Sequence, residues 1–160
     1  MERGMERMKR TWMLLLMLVS MVCVAPVFAD DNGLITIKSK YSVKETIDKL
    51  EAVLKSKGIT VALRWSHSDK AKGVGIDVRP TELLIFGNPK LGSNMFTSKQ
   101  TAGIDFPMKA LAWEDEKGQV WYTYNDPAYL AKRHGITDRD EVLAKMTKAL
   151  GAFSKAATGN

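Results

Sequence analysis

Four consecutive large apolar residues, Leu83-Leu84-Ile85-Phe86, run directly into Gly87-Asn88-Pro89. A short apolar run that ends in such a turn reads as a buried strand handing over to a helix. Its unbroken apolarity predicts a central strand over Glu82 to Phe86 with both faces covered. Asn88 before Pro89 fits an N-cap with proline in the first helical position, which predicts a short helix over Pro89 to about Lys99.

The flanking sequence supplies the rest of a sheet and the helices to cover it. Leu34 to Ser39 alternates as a strand does. Ser42-Val43-Lys44-Glu45 has the form of a capping box, and Val43, Ile47, Leu50 and Leu54 follow helical spacing up to Gly58, which predicts an amphipathic helix over 43–57. Ile59, Val61, Leu63 and Trp65 alternate with polar or small residues, predicting a second strand with these four on one buried face. Ser68 to Gly75 reads as a loop or short helix. Pro107 to Trp113 and Gln119 to Tyr124 flank a glycine-bearing turn and predict a hairpin. Asp126-Pro127 caps a short helix that ends near His134-Gly135. Thr137 and Asp138 offer overlapping caps for a last helix with the stripe Val142, Met146, Ala149, Leu150 and Phe153. The tail Ala156 to Asn160 is expected to fray. Short connections favour antiparallel pairing, and the two long helices need one sheet face, so the expected architecture is an α+β two-layer sandwich.

Residues 1–29 read as a secretory signal peptide: Arg3, Arg7, Lys9 and Arg10, an apolar run from Trp12 to Val24, and Val27-Phe28-Ala29 as the cleavage site. The run is short for a membrane span. Cleavage after Ala29 would leave one domain over 30–160, periplasmic or secreted, with no stable membrane span. Its net charge would be +4, scattered rather than clustered with aromatics, which argues against nucleic-acid binding. Cys23, the one cysteine, would leave with the leader, taking with it disulfide, thiolate-metal and cysteine-nucleophile chemistry.

Three segments carry a resemblance: Trp65-Ser66-His67-Ser68-Asp69-Lys70-Ala71, the PTELLIFGNP stretch (Pro80 to Pro89), and GIDFPMKALAWED (Gly103 to Asp115), extended by Val120 to Ile136. From Ile59 to Gly135 the chain resembles the DUF302 family, a domain of unknown function. The resemblance implies a small α+β domain, β-α-β(4)-α in outline, often paired as a homodimer, with no settled activity. The family pattern has an acidic neighbour before the histidine, where this chain has Ser66.

His67 is the leading candidate for chemistry, since a neutral imidazole can ligate a metal or haem or move a proton. The leading reading is an exported, non-enzymatic module that binds a small ligand or a protein partner. Its expected cleft lies between the His67 loop and the Gly87-Asn88-Pro89 turn, with His67, Asp69, Gly87, Asn88 and Lys90 as ligand contacts. A second reading is a haem- or metal-binding redox or sensing protein using His67, with Met95 or Met108 as the other ligand. A third makes His67 a general base beside Asp69. No catalytic residue is assigned, and no serine-hydrolase elbow is present. Trp113, Trp121, Tyr122 and Tyr124 are candidate interface residues. On a strand Trp121 and Tyr122 must face opposite ways.

Overall fold

The computed structural model describes residues 28–29 and 32–160; the rest of the expected leader lies outside the described residues. Six strands form one sheet: β1 (Phe28–Ala29), β2 (Leu34–Lys38), β3 (Thr60–Ser66), β4 (Thr81–Gly87), β5 (Met108–Glu114) and β6 (Val120–Asn125). Their order is β1-β2-β6-β5-β4-β3, and every neighbouring pair is antiparallel. The helices are α1 (Val43–Ser56), α2 (His67–Lys72), α3 (Pro89–Ser98), α4 (Pro127–His134) and α5 (Asp140–Thr158), with a 3-10 turn over Gln100–Ile104.

The helices begin where the caps predict. Ser42 accepts from the Glu45 N–H at 3.2 Å, Asn88 from Lys90 at 2.9 Å and Asp126 from Ala128 at 3.0 Å. Gly135 follows α4 at φ +64°, a conformation that favours glycine. Thr137 and Asp138, by contrast, do not cap α5. Arg139 occupies the cap position without a side-chain bond, while Asp138 accepts from Ser98 Oγ at 2.5 Å and so ties α3 to the start of α5. The tail does not fray either. Ala157 and Thr158 are fully buried, the Lys40 N–H donates to Thr158 O, and Asn160 Nδ2 donates to Lys38 O at 2.7 Å.

Register assigns each strand residue to a face, because side chains directly opposite one another share one. Leu84, Ala110, Tyr124 and Ile35 form one row; Ala112, Tyr122 and Ile37 form another; Phe86 faces Met108. Leu84, Phe86, Ala110, Ala112 and Tyr122 are at most 2% exposed. They pack with Ile47, Leu50 and Leu54 of α1 and Met146, Leu150 and Phe153 of α5 into one core. The opposite face carries Trp65, Leu83, Leu111, Thr123 and Thr36 in one row, Trp113 and Trp121 in a second, and Leu63 and Ile85 in a third. Leu83 and Ile85 are only half-buried. The expectation that β4 is covered on both faces is therefore corrected: helices cover one face.

The expected single apolar face of β3 is corrected too. The ladder shifts register between Val61, opposite Phe86, and Leu63, opposite Ile85, leaving Ala62 as an extra residue. Such a bulge exchanges the faces of everything beyond it. Ile59 and Val61 pack against the core, whereas Leu63 is 44% and Trp65 39% exposed. Arg64 is thereby turned onto the helix side, where it reaches Asp48 and Glu51 of α1 at 2.7 and 3.2 Å and Glu82 of β4 at 2.6 Å.

Candidate functional site

The β4-to-α3 turn that begins the argument from sequence also builds the principal cavity. Gly87 suits the close approach of Pro107, because a Cβ there would stand 3.2 Å from Pro107 Cβ, tighter than ordinary contact. The chain then turns at Asn88 into α3, which is anchored by the fully buried Met95. α3, the 3-10 turn and the Phe106–Pro107 segment meet α5 and the start of β3 around a cavity of about 450 Å³. Phe86, Phe96, Phe106, Phe153, Met108 and Met146 dominate its lining. Thr60, Asn88, Ser93 and Gln100 are the polar lining residues, and no acidic, basic or histidine side chain lines it. The cavity thus offers dispersion contact and a few neutral hydrogen-bonding groups, but no general acid or base.

Polar ties outside the cavity fix its walls. His134 Nε2 of α4 meets Asp105 Oδ2 at 2.6 Å, with the His134 side chain 8% exposed, and Arg133 lies 3.6 Å from the same carboxylate. This pins the residue before Phe106. Arg139 Nε donates to Asn94 O at 2.9 Å, joining α3 to the root of α5.

The structure divides the residues singled out from sequence. Gly87 and Asn88 line the cavity; Lys90 is exposed and does not. His67 and Asp69 lie elsewhere. Thr60 pairs with Gly87 at one end of the β3–β4 ladder and Ser66 with Glu82 at the other, roughly 17 Å apart at about 3.3 Å per residue. The expected cleft between the His67 loop and the Gly87 turn is therefore not formed. His67 is the first residue of α2 and is exposed. In a helix, residues two apart do not share a face, so the expected alignment of His67 with Asp69 does not arise. Met95 is buried in the core, and Met108 pairs with Phe86 near the Gly87 end. Neither methionine can complete a ligand pair with His67. Among the described residues no group of three or more histidine, cysteine, aspartate or glutamate side chains is placed to hold a metal ion.

The interface candidates also separate. Tyr122 is fully buried and Tyr124 6% exposed, both within the core, which corrects their assignment. Burial pushes the Tyr122 hydroxyl's pKa well up, with Tyr124 adding to the effect. Burial likewise raises the pKa of the Tyr124 hydroxyl. Trp113 and Trp121 are half-buried on the open face, with ring centroids 6.4 Å apart. Trp113 donates to Thr123 Oγ1 at 2.9 Å, and Trp121 donates to Asp115 Oδ2 at 2.8 Å. That indole N–H holds the Asp115 carboxyl below its ordinary range. The cavity itself went unread from sequence, because its lining comes from five separate segments whose apolar residues look like ordinary core.

Comparison with known proteins follows the same outline. A family model described as "Domain of unknown function DUF302" matches residues 35–153. The crystal structure of an uncharacterized conserved DUF302 protein from Bacillus stearothermophilus superposes with a TM-score of 0.70, covering 78% of this chain and 98% of that one at 23% identity. That likeness speaks for the fold. Two curated relatives, each called fluoride-specific ion channel FluC 1, come from Brucella suis biovar 1 (strain 1330) and Brucella abortus biovar 1 (strain 9-941). Each is 46% identical over 131 residues, which is 81% of this chain and 52% or 48% of those proteins. The chain thus spans about half the length of the curated relatives it matches. Among the described residues no helix is long and apolar enough to cross a membrane.

Proposed function

This chain belongs to the DUF302 family, and we propose that it acts as a binding module for a small apolar ligand held in the cavity between α3, α5 and the start of β3. The carrying observation is the cavity itself. Its volume of about 450 Å³ falls within the range of small-molecule sites, and its few polar groups among aromatic and thioether side chains follow their usual composition. The reading keeps Gly87 and Asn88 as site residues and leaves His67, Asp69 and Lys90 outside. The channel activity named for the longer Brucella proteins is not carried over, since the matched segment is only about half of their length.

Phenylnaphthylamine, an uncharged dye that brightens in apolar surroundings, tests the reading. The full chain is expected to bind it saturably at about one per chain, and Gly92→Leu to abolish binding. Gly92 lines the cavity, and a Cβ there meets nothing nearer than Phe106 Cδ1 at 3.8 Å, so the variant fills space rather than disrupting the helix. Absence of saturable binding by the unmodified chain overturns the proposal.

Self-association is a second reading, favoured by the open sheet face. Leu63 and Trp65 are exposed beside half-buried Leu83, Ile85, Leu111 and Trp113, and Val74 and Ile76 of the neighbouring segment are 74% and 57% exposed. Contiguous apolar area of this kind marks interaction sites. Sedimentation is expected to give a dimer that Trp65→Glu converts to monomer; a monomeric unmodified chain removes this reading. Export rests on the pattern in residues 1–29, and N-terminal sequencing of protein from an extracytoplasmic fraction is expected to begin at Asp30.

A further inference from the structure

We infer that the ligand of this cavity is uncharged: a neutral lipophile with one hydrogen-bonding group, such as a long-chain alcohol or ketone, rather than a fatty-acid anion or an amphiphilic amine. The inference rests on the cavity reading above and adds the chemistry of what is selected.

An ionised group taken out of water needs a counter-charge or a full set of hydrogen bonds. None of the lining side chains can supply the charge. The nearest charged groups along the chain are committed elsewhere or face water. Asp105, beside the lining residue Phe106, is held by His134 and Arg133. Arg139 is spent on Asn94 O and Asp138. Lys109, beside the lining residue Met108, donates to Asp105 O and Pro107 O at 3.3 and 3.2 Å, and Lys90, Lys99 and Lys148 flank lining segments but are exposed. A carboxylate inside would find no cation, and an ammonium no anion.

What the cavity does offer is neutral. Asn88 uses its side-chain oxygen to cap α3, accepting from Lys90 N at 2.9 Å, which leaves its amide N–H donors. The side chains of Thr60, Ser93 and Gln100 make no hydrogen bond among the described residues. Together these can donate to and accept from a hydroxyl or carbonyl. The rest of the lining suits hydrocarbon: four phenylalanines supply flat apolar area, and Met108 and Met146 supply adaptable contact. At about 30 Å³ per water, the space equals roughly fifteen waters, which sets a ligand of on the order of fifteen to twenty heavy atoms.

Three molecules with one chain and different heads decide the matter: dodecanol, dodecanoate and dodecylammonium, each competing against bound phenylnaphthylamine on the full chain at about pH 8, where both ions are charged. Dodecanol is expected to displace the dye at least about tenfold more effectively than either ion. Since any greasy surface favours the alcohol somewhat, the Gln100→Lys variant supplies the discriminating arm. Gln100 is exposed at the start of the 3-10 turn, and a cation there is expected to raise dodecanoate about tenfold relative to dodecanol while leaving dodecylammonium weak. Equal displacement by dodecanoate in the unmodified chain overturns the inference, as does failure of dodecanol to compete or of Gln100→Lys to change the ranking. If the dye itself does not bind, the cavity reading falls first, so the two failures are told apart.

Discussion

Tyr122 offers the sharpest test of the core's energetics. Its side chain is fully buried at the centre of the sheet, and its hydroxyl makes no hydrogen bond among the described residues. A buried polar group without a partner costs about 1–3 kcal/mol. Tyr122→Phe removes that oxygen alone and keeps the ring, 5.7 Å from Tyr124. The void it leaves is one atom. The expected result is a gain of about 1 kcal/mol, which for a domain of this length raises the melting temperature by about 3–6 °C. Tyr124→Phe is the control: that hydroxyl is not a fully buried group without a partner, so removing it is expected to give no such gain. Urea unfolding followed by tryptophan fluorescence reads both, with the midpoint raised for Tyr122→Phe alone and the slope unchanged. A Tyr122→Phe variant that is destabilised by 1 kcal/mol or so would refute the reasoning, since the hydroxyl would then have to be satisfied by an internal water or a bound molecule.

Two further outcomes follow from geometry already described. Gly92 sits inside α3, where alanine is favoured by about 1 kcal/mol, and a methyl there makes only ordinary contact with Phe106; Gly92→Ala is expected to gain about 0.5–1 kcal/mol in the same unfolding assay. The Arg64 cluster sets acid sensitivity. Asp48 is held below the ordinary carboxylate range by Lys44 and then Arg64, and Glu51 by Lys55 and, with a smaller effect, Arg64. Carboxyls lowered on folding contribute stability that is present above their unfolded values of about 4 and is lost as pH falls through the lower folded ones. Arg64→Met is therefore expected to reduce stability at neutral pH but to make the loss on acidification shallower, the two lysines retaining part of it. Parallel pH profiles for the two proteins would contradict this.

Much of the fold is legible in local chemistry. Caps at Ser42, Asn88 and Asp126 and the glycines at 58 and 135 bound their helices where side-chain hydrogen bonds and left-handed backbone require. The alternation of Trp121 and Tyr122 separates an outward from an inward ring. What local pattern cannot give is a choice made by distant partners. Asp138 reads as a helix cap until Ser98 competes for it. His67 and Asp69 read as aligned until the segment coils. The tail reads as loose until Lys38 and Lys40 bind it. The site was half visible: Gly87 and Asn88 mark its edge, but a cavity is a property of five segments meeting, and no one of them carries its signature.

The bulge at Ala62 has a consequence for how copies of this chain can assemble. β3 is the outer strand on its side of the sheet, and an outer strand is ordinarily a template on which another strand can be laid, chain after chain. A bulged edge is a poor template, because its twist and unpaired residue break the ladder a newcomer would need. The same extra residue turns Leu63 and Trp65 out of the core and onto the broad face. Any self-association would thereby be favoured at a face, which two copies can satisfy by turning the same surface to each other about a two-fold axis, over an edge, which propagates. Under the proposed self-association, growth by this face would stop at a pair, and the bulge that exposes the apolar face also blunts the β3 edge as a template.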